Sequence, residues 1–408
     1  MSRDNFLEKL LDGAEVEWVA LGVLTTIKTG QAVNKRMIAE SPGEYPVINS
    51  GREPLGYIDR WNTEDDPIGI TSRGAGVGSV TWQEGRYYRG NLNYSVTIKK
   101  DANLITKFLL HLLLYMQREI QSLCTYDGIP ALNAGNLKNL LIPIPCPDNP
   151  KKSLAIQAEI VRILDRFTEL TAELTAELTA RKKQYNHYRF QLLSFEEGEV
   201  EWKALGDVCV VSSGGTPSKK VSEYWDGGNV PWLKSESCNN APVHSAGHFI
   251  TEIGLKKSSA RIFQRGTTLM ALVGATIFKT AYLEFESSTN QNIAGIKPKK
   301  GSSINDKYVF YFLTNIYEEL KAQMSNYGML NLTTLKGFKI PIPFPNDRQK
   351  SLAEQARIVA ILDKFDTLTH SITEGLPREI ELRQKQYEYY RDLLLSFPMP
   401  EAQSEVVA

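Results

Sequence analysis

The nearest approach to a metal site in this sequence is Cys238 with His244 and His248. A structural zinc site needs four donors, usually in closely spaced pairs. Three donors without a suitably spaced carboxylate read as loop side chains with no ligand role. Arg73-Gly74-Ala75-Gly76-Val77-Gly78 contains GxGxG but lacks the strand-to-helix setting of a dinucleotide site, so it reads as a turn. There is no G-x-x-x-x-G-K-[ST] phosphate loop, no Asn-Pro-Pro-aromatic motif of amino-methyltransferases and no PD…ExK nuclease cluster. Asp65-Asp66-Pro67 is a turn, and His111 sits among leucines as a packed residue. The chain is expected to catalyse nothing alone.

What the elements position must then be a binding surface. The chain has 408 residues, 23% of them charged, with a formal net charge of zero. That length suggests two or three domains with ample core. The charge is unevenly spread. Lys256 to Lys300 holds eight Lys/Arg against two Glu, and Arg73 to Lys107 holds six against Glu84 and Asp101. No run of 18 apolar residues exists, so no membrane span is expected. The charged start MSRDNFLEKLLDGAEVEW is no signal peptide. Cys124, Cys146, Cys209 and Cys238 lack CxxC spacing, which fits a reducing cytosol.

The chain is written twice. SLAIQAEIVRILDRFTELT from Ser153 and SLAEQARIVAILDKFDTLT from Ser351 agree at thirteen of nineteen positions. Each follows a proline-punctuated strand, LIPIPCP or IPIPFP, and each precedes a tyrosine-rich end, RKKQYNHYRFQLLSF or RQKQYEYYRDLLLSF. EVEWVALG from Glu15 returns as EVEWKALG from Glu199. Elsewhere the halves match loosely. Tyr45–Ile48 faces Val230–Leu233, Ser72–Ala75 faces Leu272–Ala275, and Asn91-Leu92-Asn93 faces Asn290-Gln291-Asn292. Near-identical helices imply a shared structural task; divergent globular parts on one skeleton imply two targets.

Ile156, Ile160, Ile163, Phe167, Leu170 and Leu174 form a heptad seam, continued by Leu178, Tyr185, Tyr188 and Leu192. Ile358, Leu362, Phe365, Leu368 and Ile372 repeat it, and Gly375 and Pro377 should stop and restart that helix. An apolar stripe needs a partner, and the other copy is the natural one, as an antiparallel intramolecular pair. Leu170 to Ala180 reads L-TAEL-TAEL-TA. Each four-residue unit adds roughly 6 Å to a helix, as in a ruler. The globular parts read as α+β, with short alternating strands between Gly/Asn turns and an apolar closing helix, 108–120 or 307–322.

These features together resemble the specificity subunit of type I restriction–modification enzymes, and the tandem TAEL resembles the type IC branch. The resemblance covers essentially the whole chain. It implies one target-recognition domain per half, 1–150 and 199–348, each reading half of a bipartite, asymmetric DNA site. Helices 151–198 and 349–397 would be spacers, and 398–408 a disordered tail. It also implies two modification subunits that carry S-adenosylmethionine and methylate adenine, docked on the helices with Tyr185, Tyr188, Tyr387 and Tyr390 in the docking surface. Restriction subunits using ATP and Mg would join the complex. No cofactor is expected on this chain, and its setting is expected to be cytoplasmic. The Gly375–Pro377 interruption puts equal helix lengths in doubt.

Reading a duplex needs Arg, Lys, Asn, Gln, Ser or Thr on base edges and further cations on phosphates. The first half offers Arg73, Ser79, Arg86, Arg89, Asn91 and Asn93. The second offers Lys219, Lys220, Lys234, Lys279, Asn290, Gln291 and Asn292. Leu170, Leu174 and Leu178 would hold the spacer. A different class, a coiled-coil scaffold with two protein-binding domains and no DNA, would suit the zero net charge but leaves the basic stretches unexplained.

Overall fold

The computed structural model describes residues 5–51, 53–196, 198–323, 329–371 and 373–399. Ile372 of the second seam and nearly all of the 398–408 tail fall outside them. The chain divides into two compact units, residues 1–173 with 380–408, and residues 174–379. One division falls inside the TAEL repeat.

In the first unit Val16–Ala20 pairs antiparallel with Leu141–Pro145, so EVEW and IPIP are partners. The pattern explains the motif. Ile142 and Ile144 point into the core. Pro143 and Pro145 fall on alternate residues, so their missing N–H groups lie on one edge, where proline costs no ladder bond. The second unit repeats this with Val200–Ala204 and Lys339–Pro343. Both copies then turn through a left-handed non-glycine residue, Cys146 (φ 50°) or Phe344 (φ 48°). A capping side chain follows: Asn149 Oδ1 accepts from Lys152 N at 3.0 Å, and Asp347 Oδ1 from Lys350 N at 3.0 Å.

The body of the first unit is a four-stranded sheet, ordered Thr25–Thr29, Asn93–Ile98, Ile68–Thr71, Val80–Trp82. Beside it stands a three-stranded sheet of Tyr57–Ile58, Pro42–Ile48 and Tyr88–Arg89. The second unit enlarges both, to five and four strands. The closing helix Thr106–Tyr115 buries half of its residues and Asp306–Asn315 buries most of its own.

The SLAxQA motif locks the long helix to each body. Gln157 is fully buried; its Oε1 accepts from Ile105 N at 2.9 Å and its Nε2 donates to Asn103 O at 3.0 Å and Ser153 Oγ at 3.1 Å. Gln355 does the same to Asn305 N, Ser303 O and Ser351 Oγ. A second tie follows two turns on. Asp165 receives Lys107 at 2.8 Å and His111 Nε2 at 2.9 Å. Asp363 receives Lys307 at 2.8 Å and the Tyr311 hydroxyl. His111 is thus a packed residue. Burial holds its pKa below the ordinary 6.5, partly offset by Asp165.

The first long helix is continuous, Pro150–Leu193, 44 residues. In it Leu164, not Ile163, completes the fully buried run with Ile160, because successive steps of four suit packing against a sheet and helix body. The second is broken, Arg348–His370 then Gly375–Leu395. Ser371 ends the first piece, and its Oγ accepts from Glu374 N at 3.1 Å. Gly375 has φ +76°, and a Cβ there would stand 2.5 Å from Thr367 O, so only glycine fits the restart. In the second unit the helices run antiparallel: Tyr185 meets His370 (5.7 Å) and Phe365, and Tyr188 further along stacks on Phe365 at 5.4 Å.

Candidate nucleic-acid interface

In the first unit, strand Ile68–Thr71 runs into the glycine turn 72–79. Thr71 and Ser79 are tied by backbone N–H to O at 2.9 Å, and Gly74 and Gly78 take positive φ. This turn is stitched to its neighbours. Ser72 N donates to Leu92 O at 2.9 Å, and Leu92 N to Asn49 Oδ1 at 3.0 Å. Gly90 N donates to Ile48 O at 2.7 Å, and a Cβ on Gly90 would strike Asn49 Oδ1. Three chain segments are therefore held as one loop cluster, carrying Arg73, Ser79, Asn91 and Asn49.

The second unit builds the same frame with other side chains. Leu272 N donates to Asn292 O at 2.8 Å, Asn290 N to Leu233 O at 2.9 Å, and Ala271 N to Lys279 O at 2.9 Å. Position by position, Val273 stands for Arg73 and Lys279 for Ser79. The bonding also corrects the sequence pairing by one residue: Asn290 matches Gly90, so Gln291, not Asn290, matches Asn91. Lys234 follows Leu233 into the cluster. Gln291 accepts from the Thr216 hydroxyl at 2.5 Å, and exposed Lys219 and Lys220 lie just beyond Thr216. Asn290 is buried, and its Oδ1 accepts from Asn292 N at 3.1 Å, so it shapes the turn.

Two expected contacts belong to the interior. Arg89 is 3% exposed and Asn93 fully buried. The guanidinium donates to Asn93 Oδ1 at 2.6 Å, Tyr94 O at 3.0 Å, Ile68 O at 3.2 Å and Asp66 O at 2.6 Å, and to the Tyr87 hydroxyl. The two Nη groups of the planar fork meet all five acceptors, while the buried Nε has no hydrogen-bond partner. Its Nη donors are spent on three backbone carbonyls, the Asn93 amide oxygen and the Tyr87 hydroxyl, so neither side chain reaches a duplex. Arg86 is exposed but engaged: it pairs with Glu64 at 2.7 Å and lies 4.7 Å from the Trp61 ring. Arg73 is exposed and makes no ion pair among the described residues.

The tyrosines also divide. Tyr185 and Tyr387 are buried in the chain's own cores, against Phe365 and His111, so they are not docking surface. Tyr188 and Tyr390 stay half open, stacked on Phe365 and Phe167. Phe190 and Tyr389, which the heptad count passed over, are more exposed than either. Leu170, Leu174 and Leu178 are each partly covered, while the Glu side chains between them are open.

Among the described residues no three His, Cys, Asp or Glu could hold a metal ion. Cys238 is buried, with its thiol pushed up to about 12 by desolvation, while His244 and His248 are exposed. No described helix is long and apolar enough to cross a membrane.

Residues 14–181 and 197–382 match the family described as the type I restriction modification DNA specificity domain. The chain is 40% identical over 419 residues to the EcoR124I/EcoR124II type I restriction enzyme specificity subunit of Escherichia coli, covering 99% of this chain and 100% of the relative. It is 32% identical over 409 residues to the EcoprrI specificity subunit of Escherichia coli, covering 92% and 93%. In fold it is similar to the type I restriction–modification S subunit from M. genitalium, with TM-score 0.60 at 18% identity over 95% of this chain and 98% of that one. A chain from work on assembly and conformational transition of the type I R-M system gives TM-score 0.59 at 14% identity over 93% and 98%.

Proposed function

The chain belongs to the type I restriction–modification DNA specificity family, and on that premise we propose that it is the DNA sequence-specificity subunit of a type I complex. Each unit reads one half of a bipartite, asymmetric site. The single observation that carries this is the duplicated loop cluster: one hydrogen-bonded frame, with Arg73 and Ser79 exchanged for Val273 and Lys279. A conserved frame with exchanged side chains suits two readers of different bases. The non-DNA scaffold draws no support from the family match.

The finer parts of the proposal are these. Arg73, Ser79, Asn91 and Arg86 serve the first half-site; Lys234, Lys279, Gln291, Asn292, Lys219 and Lys220 serve the second. Two modification subunits dock on the long helices near Tyr188, Tyr390, Phe190 and Tyr389. This chain is non-catalytic and cytoplasmic. S-adenosylmethionine, ATP and Mg belong to partner subunits, and restriction subunits join through the complex. The TAEL repeat, as in the type IC branch, sets the spacer between half-sites.

Replacing residues 22–140 with the matching segment of another family member tests the modular reading. Methylome sequencing should find one half of the site changed and the other kept. A change in both halves would refute independence.

A further inference from the structure

The first unit carries an apolar feature beside its arginine turn that hydrogen-bonding readout does not use. Cys124–Thr125 pairs antiparallel with Ala131–Leu132. Cys124 and Leu132 are buried and anchor this hairpin in the core, and Gly128 (φ +94°) allows its tight tip. At the tip Tyr126 is 60% and Ile129 70% exposed. The hairpin is bolted to the recognition turn. Gly74 N donates to Pro130 O at 2.9 Å, Leu132 N to Ser72 O at 2.8 Å, and Arg73 bridges Ala131. Adjacent strands lie about 4.8 Å apart, so the hairpin backbone runs directly beside Arg73, and the Tyr126 hydroxyl donates to Gln121 O at 3.3 Å.

The second unit also exposes an apolar side chain beside its turn, at the position of Ala131 rather than of Tyr126 or Ile129. Leu330 N donates to Leu272 O at 2.8 Å, matching Leu132 and Ser72, and Met329, 65% exposed, bridges Val273. Single exposed apolar residues need no explanation. Two of them on one hairpin tip tied to the Arg73 turn, with exposed Met329 beside the other turn, do. The tip carries Asp127 and no cation, so it suits base edges rather than phosphates. The apolar group a duplex presents on a base edge is the thymine C5-methyl in the major groove.

We propose that Tyr126 and Ile129 form an apolar reader that packs on a thymine methyl in the first half-site. This rests on the reading that the Arg73 turn faces DNA. The test uses the complex with its modification subunits and duplexes carrying the methylome-derived site. Each thymine of that half-site is replaced in turn by deoxyuridine, which lacks only the methyl. For the unaltered chain one such replacement should weaken binding about fourfold, the worth of one buried methyl. Ile129→Ala or Tyr126→Ala should bind the thymine and uracil duplexes alike while melting at the unaltered temperature. Both side chains are exposed, so folding is not at stake. Full discrimination retained in both variants overturns the proposal, as does a half-site with no A·T pair. Loss of modification subunits from the Ile129→Ala complex, measured by mass, also overturns it and gives the tip to protein docking. If Arg73→Ala also leaves site preference intact, the underlying DNA reading of this turn fails with it.

Discussion

Two arginines of similar sequence setting have opposite roles, and the distinction is measurable. Arg89 fills a buried hole with five acceptors around it. Arg89→Ala should destabilise the chain by about 3 kcal/mol, because buried polar partners are left unmet. Arg73→Ala should leave the denaturation midpoint unchanged and weaken site binding by about 1–3 kcal/mol if it removes a bidentate base contact. Equal midpoints for both variants would contradict this division. Neither fact was legible in the sequence, since Arg-Gly and Arg-Gly-Asn read alike until burial is known. His111 offers a second residue-scale test. Its neutral ring is satisfied when Nε2–H donates to Asp165 and Nδ1 accepts from the Tyr387 hydroxyl. Burial puts its folded pKa below 6.5, so the folded state binds fewer protons. The stability it contributes is present above the ordinary 6.5 and is lost progressively as pH falls from there through the lower folded-state value. Asp165, also held low despite its burial, titrates further down, below 3.8. Lys107 and Arg391 face the ring and oppose its protonation. Melting temperature should fall as pH drops below about 6.5, and His111→Gln should flatten that slope. A His111→Gln chain with the unaltered slope would remove His111 as the cause.

At the scale of elements, the sequence was most readable where a local rule and a tertiary need coincide. The IPIP strands, the long helices and the stop near Gly375 all follow from period, proline and glycine. The conserved-looking SLAxQA stretch was visible only as a repeat, because its purpose lies in a loop about 50 residues earlier. Gln157 and Gln355 answer the open groups at the N-terminal ends of the two closing helices. Gln157→Leu keeps the volume but leaves Ile105 N–H and Asn103 C=O without partners in a half-buried setting. It should cost about 2 kcal/mol, and Gln355→Leu about the same. Glu159→Ala on the same helix, losing only its exposed pair with Arg162, should cost well under about 1 kcal/mol. Denaturant midpoints of the three variants check the order. The loop cluster resisted sequence reading for the same reason: its frame is made by backbone bonds between segments far apart in the chain, and side-chain letters reveal those poorly. Hence the one-residue slip that set Asn91 against Asn290 in place of Gln291.

At the scale of the molecule, one gene-like unit has been used twice, and the helices changed least. One copy stays a continuous 44-residue helix and the other breaks at residues 371–374. A length change in the unbroken copy can therefore be absorbed next to the break in the other. On the proposal that the TAEL repeat sets the spacer, its geometry would suit such a change. Leu170, Leu174 and Leu178 fall at i, i+4 and i+8, staying near one face while drifting about 40° per unit. They are partly covered, with open Glu between them, so an added copy brings its own partly covered leucine and mostly polar new surface. Inserting a third TAEL after Leu178 should lengthen the helix by roughly 6 Å, or somewhat less if the added turn supercoils. Base pairs are spaced about 3.4 Å, so the non-specific spacer should grow by about one or two base pairs. The added rotation must be taken up by twisting DNA or by flexing near Gly375 and Pro377. The loop clusters lie far from the insertion in sequence and carry their own bonds, so the bases of each half-site should not change. Mapping methylated sites decides the matter. An unchanged spacer, or altered half-site bases, would show that these residues do not set the distance.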